Sequence, residues 1–148
     1  MFGMGKGYRF VEHTADVEFI ATGRSMPEAI KNAAMAMFET ISDVGEVSHG
    51  SAAQRTIKIR KISDNYTDLA WSVLQYLLSV SSSKGIFLYA VERVRLSKRG
   101  NKISCEISAS GKPEKEEFAR TEVKAVSRYN ISAEKKGGYY RIRAVLDV

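Results

Sequence analysis

The last ten residues, "YYRIRAVLDV" at 139–148, carry a period-two alternation. Tyr140, Ile142, Ala144, Leu146 and Val148 fall on one side, and Arg141, Arg143 and Asp147 on the other. Successive strand side chains point to opposite faces, so this segment is a strand with one dry and one wet face. The same period of two recurs in "RTIKIRKI" (55–62), where Ile57 and Ile59 oppose Lys58 and Arg60. In "KISCEISAS" (102–110), Ile103, Cys105, Ile107 and Ala109 oppose Ser104, Glu106 and Ser108. "VKAVSRYNISAE" (123–134) reads as one strand, with Val123, Ala125, Tyr129, Ile131 and Ala133 inward and Lys124, Arg128 and Asn130 outward. "IFLYAVERVRL" (86–96) is a further strand. "KRGN" (98–101) and "KKGG" (135–138) are tight-turn signals between neighbours.

Two strands open the chain, Tyr8 to Glu12 and Val17 to Thr22, with Val17, Phe19 and Ala21 sharing a side and Gly23 ending the pair. "RSMPEAIKNAAMAMFETIS" (24–42) then predicts a helix. Ser25 and Glu28 form a capping box, and Pro27 sits in the first turn, where its missing N–H costs nothing. Ile30, Ala33, Ala34, Met37, Phe38 and Ile41 make one apolar stripe, which reads as core. Residues 43–54, polar and glycine-containing, read as loop. "SDNYTDLAWSVLQYLLSVSSS" (63–83) predicts a second helix capped by Asp64 or Asn65. Its broad apolar arc must lie on a sheet or another helix.

These elements predict an α+β fold in a single domain over 1–148: a two-layer α/β sandwich, with a mostly antiparallel or mixed sheet and two helices packed on one face. Length agrees, since 148 residues suit one core. The composition, 44% hydrophobic and 27% charged, is that of an ordinary globular protein. No run of about 18 apolar residues predicts a membrane span. "MFGMGKGYRF" lacks the apolar core and cleavage site of a secretory leader, so an intracellular location is expected. The net charge of +6 favours anionic partners. If the strands are neighbours, Lys58, Arg60, Lys124, Arg128, Arg141 and Arg143 gather on one open face, and RNA binding through that face is one function to consider.

Catalytic constellations are sparse. "GMGKG" (3–7) precedes a strand rather than opening a helix, so it is no phosphate loop. His13 and His49 are the only histidines, too few for a zinc site of the usual kind. Cys105 is the sole cysteine; it excludes an internal disulfide and lies on an apolar face, where it reads as inert core. Asp16 and Asp147 remain. Asp147 places a carboxylate beside the α-carboxylate of Val148, and such neighbours repel unless something positive sits between them. If Asp16 is brought near, the three make an oxygen-rich site of the kind hard cations prefer. Otherwise Lys124 or an arginine supplies the charge.

Four stretches carry a resemblance. "VEHTADVEFIATG" (11–23) resembles the HTAD signature of archease proteins, and "SMPEAIKNAAMAMFE" (25–39) the helix that follows it there. "TEVKAVSRYNI" (121–131) is similar to the family's E-[IV]-K-A-V-T strand, and "AVLDV" (144–148) to its terminal D-[IV]. The resemblance implies a cytoplasmic activator of an RtcB-type RNA ligase in tRNA splicing, not itself an enzyme. Such an activator promotes ligase guanylylation and multiple turnover, and broadens nucleotide use. It also implies a divalent cation, calcium or alternatively Mg²⁺ or Mn²⁺, held by Asp16, Asp147 and Val148. His13 and Thr14 would shape that turn, and Lys124 and Arg128 would contact the ligase or a phosphate. The ligase is the expected partner, with RNA reached through it, no membrane, and a monomer or weak oligomer. Ser127, Arg128 and Tyr129 stand where many members read T-Y-H, and Phe118 where a histidine often precedes the strand.

Overall fold

The structure is a computed structural model that describes residues 7–12 and 16–148. Eight strands are β1 (Tyr8–Val11), β2 (Val17–Gly23), β3 (Arg55–Ser63), β4 (Ile86–Arg99), β5 (Lys102–Pro113), β6 (Ala125–Val126), β7 (Ser132–Lys136) and β8 (Tyr139–Asp147). Three helices are α1 (Met26–Ile41), α2 (Val44–His49) and α3 (Tyr66–Lys84). The expected α+β class with antiparallel pairing is present. The strands, however, divide into two sheets: β1-β2-β8-β6, with β7 also paired to β8, and β3-β5-β4. Helix α1 packs on β2 and β8 of the first sheet and on β4 of the second, while α3 packs on β3 and on β7. One continuous core results, in which Phe19, Phe38, Leu74, Leu77, Cys105, Ile142 and Leu146 are all buried.

Local chemistry explains the boundaries. Ser25 Oγ accepts from the Glu28 N–H at 3.2 Å, and Glu28 Oε1 accepts from the Arg24 N–H at 3.0 Å, so α1 begins where the capping box says. For α3 the cap is Asn65, whose Oδ1 accepts from the Asp68 N–H at 2.8 Å; Asp64 pairs instead with Lys102. Gly85 ends α3 at φ 64°, a left-handed conformation that favours glycine. Gly100 and Gly137, at φ 61° and 62°, turn the β4–β5 and β7–β8 hairpins.

Three expectations need correction. Residues 44–49 form α2 rather than loop, because Asp43 caps the segment by accepting from the Glu46 N–H at 3.1 Å. Residues 123–134 do not make one strand. The chain leaves the sheet after Val126 and returns at Ser132, so Tyr129, expected inward, is 95% exposed. The six basic residues do not share a face, because Lys58 and Arg60 belong to the β3-β5-β4 sheet, whereas Arg141 and Arg143 belong to the other.

The alternation in β5 was legible: Ile103, Cys105, Ile107 and Ala109 are buried and their neighbours are not inside that core. Burial, and then the Glu106 carboxylate, push the Cys105 thiol up from 9.0 to about 12. A raised folded pKa stabilises fully below the unfolded value and loses that contribution as pH climbs toward the folded one. Unfolding above pH 9.0 therefore releases a proton at Cys105, and stability should fall by ~1.4 kcal/mol per pH unit for that proton. Urea unfolding followed from pH 9 to about pH 11 should show a shallower decline for Cys105→Ala than for the wild-type chain; equal slopes would refute the assignment.

Candidate functional site

The site is built on the pairing of β2 with β8. The ladder runs antiparallel from Gly23↔Tyr140 to Val17↔Leu146. Directly opposed residues share a face, so Phe19↔Ala144 and Ala21↔Ile142 point into the main core, and Glu18↔Val145 and Ile20↔Arg143 lie on the other face, where Ile20 and Val145 are also buried. The ladder ends at Val17↔Leu146; Asp16 lies in a bend one residue before β2, and Asp147 is the last residue of β8. Both are partly exposed. Val148, 38% exposed, adds the α-carboxylate one residue further. Asp16, Asp147 and Val148 thus lie in the chain segments that flank the same end of the β2–β8 ladder. His13 and Thr14 lie outside the described residues.

On the other side of β8, Ala125 pairs with Asp147 and Val126 with Leu146. The Lys124 N–H donates to the Asp147 carbonyl at 2.8 Å. That bond ties the Lys124 backbone to the end of β8, and its side chain is exposed.

Helix α3 locks this segment. Trp71 Nε1 donates to the Val126 carbonyl at 2.9 Å, and Gln75 Oε1 accepts from the Val126 N–H at 2.9 Å. These groups face away from β8, so α3 side chains satisfy the edge that β6 would otherwise leave open. Thr67 Oγ1 does the same for β7, accepting from the Ala133 N–H at 3.0 Å. Arg128, expected at the ligase or a phosphate, here pairs with Asp68 at 3.0 Å and lies 4.8 Å from the Trp71 ring centroid. Sequence inspection missed Trp71, Gln75 and Asp68 as supports of the Lys124 segment. They fall on an amphipathic helix at ordinary spacing, and nothing local shows which strand edge they meet.

The chemistry of the tip suits a hard cation. All its donors are oxygen, two from side chains and one from the chain end, and these are the ligands calcium and magnesium take. Among the described residues, no three His, Cys, Asp or Glu side chains cluster, so such an ion would draw on the α-carboxylate and water to complete its shell. Among the described residues, too, no helix is long and apolar enough to cross a membrane.

The fold defines a small α+β protein in which β2 pairs with the last strand, β8, at the centre of the larger sheet. Residues 8–148 match the archease protein family. The chain is 34% identical over 152 residues to the protein archease of Methanosarcina acetivorans, covering 100% of each. It is 34% identical over 146 residues to that of Sulfurisphaera tokodaii, covering 95% of this chain and 98% of the relative. Its fold resembles the solution structure of Methanobacterium thermoautotrophicum protein 1598, with a TM-score of 0.80 at 28% identity, over 96% of this chain and 99% of that one. It also resembles the crystal structure of an archease, possible chaperone, from Thermotoga maritima, with a TM-score of 0.54 at 20% identity over 93% and 94% of the two chains, a likeness of fold. The protein belongs to the archease family.

Trp71→Phe keeps a ring beneath Arg128 and deletes only the donor to Val126. Chemical denaturation should show a loss of about 1 kcal/mol, together with faster amide exchange in β6. An unchanged midpoint would mean that this bond does not hold the segment.

Proposed function

We propose that this protein activates an RtcB-type RNA ligase in tRNA splicing, promoting its guanylylation and multiple turnover and broadening its nucleotide use. In this reading it is an accessory protein of the cytoplasm, acting as a monomer or weak oligomer, and the ligase carries out the chemistry. The observation that supports the proposal is the β2–β8 register, whose last pair, Val17↔Leu146, leaves Asp16 and Asp147 each one residue beyond it. A second support is membership of the archease family.

The tip is suited to docking at another protein's anionic, metal-bearing centre. Asp16, Asp147 and Val148 would hold the divalent cation, calcium first and magnesium or manganese as alternatives; once bound, it supplies positive charge that offsets the carboxylates. Lys124, whose backbone N–H bonds the Asp147 carbonyl, would offer three N–H donors to a phosphate or to a ligase carboxylate. Arg128, held by Asp68 and Trp71, would reach a ligase only by exchanging those partners, so Lys124 is the stronger candidate contact. A tip fixed by a seven-pair ladder costs little ordering entropy on docking, which favours a precise contact.

Two measurements test the proposal. With limiting cognate ligase, the wild-type chain should carry ligation beyond one turnover per ligase, and Asp147→Ala should abolish this while keeping its circular dichroism spectrum. Calorimetric titration with calcium should show binding by the wild-type chain and at least about tenfold weaker binding by Asp147→Asn. Full stimulation by a folded Asp16→Ala or Asp147→Ala variant would remove the tip from the mechanism.

A further inference from the structure

The β3-β5-β4 sheet has an outward face that the activator role does not use. Its register sets side chains in cross-strand rows. Lys58 and Arg93 flank Ser108, Arg60 and Arg95 flank Glu106, and Ile62 and Ser97 flank Ser104. Opposed residues share a face, so these rows stand on the side opposite Ile57, Ile59, Cys105 and Ile107, which enter the core. Lys58, Arg60, Arg93, Arg95 and Arg99 are all exposed. Among the described residues, Glu106 is the acid in these rows, and it is 3.8 Å from Arg60, leaving Lys58, Arg93 and Arg95 without an ion pair.

The relief of the face matters as much as its charge. One cleft of about 340 Å³ is lined by Lys58, Arg60, Arg93, Arg95 and Ser108. A second, of about 470 Å³, is lined by Arg60, Ser97, Arg99, Lys102 and Ser104. Arg60 borders both, so they join into one trough along β5. From Lys102 to Ser108 that trough runs about 20 Å at the rise of a strand. Its walls are basic, and its floor carries serine hydroxyls with the Glu106 carboxylate between them.

We propose that this trough binds a single strand of RNA through its phosphodiester backbone. Arginine forks match phosphate oxygens, and two parallel basic rows follow a line of phosphates rather than one isolated anion. Serine hydroxyls both donate and accept, as contact with a ribose 2′-OH requires. A protein partner fits less well: interface centres are rich in aromatic anchors, and the one exposed large hydrophobic residue in these rows is Ile62. Insertion into a membrane surface needs a larger apolar face than this one. The inference stands apart from the activator role, because it concerns a different sheet and no residue of the acidic tip.

The test is fluorescence anisotropy of a labelled oligouridine with this protein alone. About four phosphate contacts predict a log–log salt slope near −3, hence roughly a 50-fold loss of affinity between about 50 and 200 mM salt. Arg93→Glu with Arg95→Glu should weaken binding by roughly tenfold or more. Lys135→Glu with Lys136→Glu, an equal change of charge on the β7–β8 hairpin, should change it by no more than about threefold. Oligodeoxyuridine of the same length should bind more weakly than the RNA. No binding at low salt, equal losses in both variant pairs, equal affinity for DNA, or displacement of RNA by polyglutamate at matched charge would each overturn the proposal. Asp147→Ala should bind the RNA normally, and the Arg93/Arg95 variant should still stimulate RNA-free guanylylation, so failure of one role is distinguishable from failure of the other.

Discussion

The pairing of β2 with β8 is the constraint on which the molecule rests. It joins the beginning of the chain to its end at the centre of the larger sheet. Its register is fixed by burial. A slip of one residue would turn Phe19, Ala21, Ile142, Ala144 and Leu146 out of the core and drive Glu18, Arg143 and Asp147 into it. Burying a large apolar side chain contributes about 1.5–3 kcal/mol, and forcing an unpaired charge inside costs several more. The correct register therefore wins by a wide margin, and the position of Asp147 at the end of the ladder is a by-product of hydrophobic pairing further along it.

Helix α3 supplies the second constraint. A two-residue strand such as β6 has too few ladder bonds to be held by β8 alone. Its exposed edge is closed by Trp71 and Gln75, and that of β7 by Thr67. The helix therefore serves three purposes at once. It fills the core with Leu69, Val73, Leu74 and Leu77, blunts two strand edges that would invite aggregation, and fixes where Lys124 emerges. Arg128 belongs to this brace, stacked on Trp71 and paired with Asp68. As a half-exposed pair it adds modestly to stability, and its geometry matters more than its energy.

The distribution of charge gives the molecule two unlike poles. The acidic tip is built at the end of the larger sheet and the basic trough on the outer face of the smaller one. A net charge of +6 conceals this separation, because a sum over the chain carries no position. The proposed protein contact and the proposed RNA contact share no residues, so in that reading the two would not compete.

Much of this was legible in the linear pattern. Period-two alternation gave β3, β5 and β8 with the correct inward residues, the Ser25–Glu28 spacing gave the start of α1, and the glycine turns gave both late hairpins. Asp16 and Asp147 stood out as carboxylates in the sequence and Lys124 by resemblance; the structure adds that the Lys124 N–H donates to the Asp147 carbonyl and that Asp16 directly precedes β2. What failed did so for identifiable reasons. Asp43 and Glu46 carry a capping signal, but six residues with a glycine give too little periodicity to outweigh the appearance of loop. Bulges between Leu88 and Ala90 and between Val91 and Arg93 break the alternation of β4, so the outward position of Arg93 and Arg95 cannot be counted from its start. Which strands become neighbours is set by packing across the whole core: Tyr129 left its expected face and Lys58 parted from Arg143. The sequence by itself determined which residues each element buries, because that depends on spacing along a few turns or pleats. Only the tertiary structure decided which wet faces and strand ends come together, because that depends on contacts between segments more than a hundred residues apart.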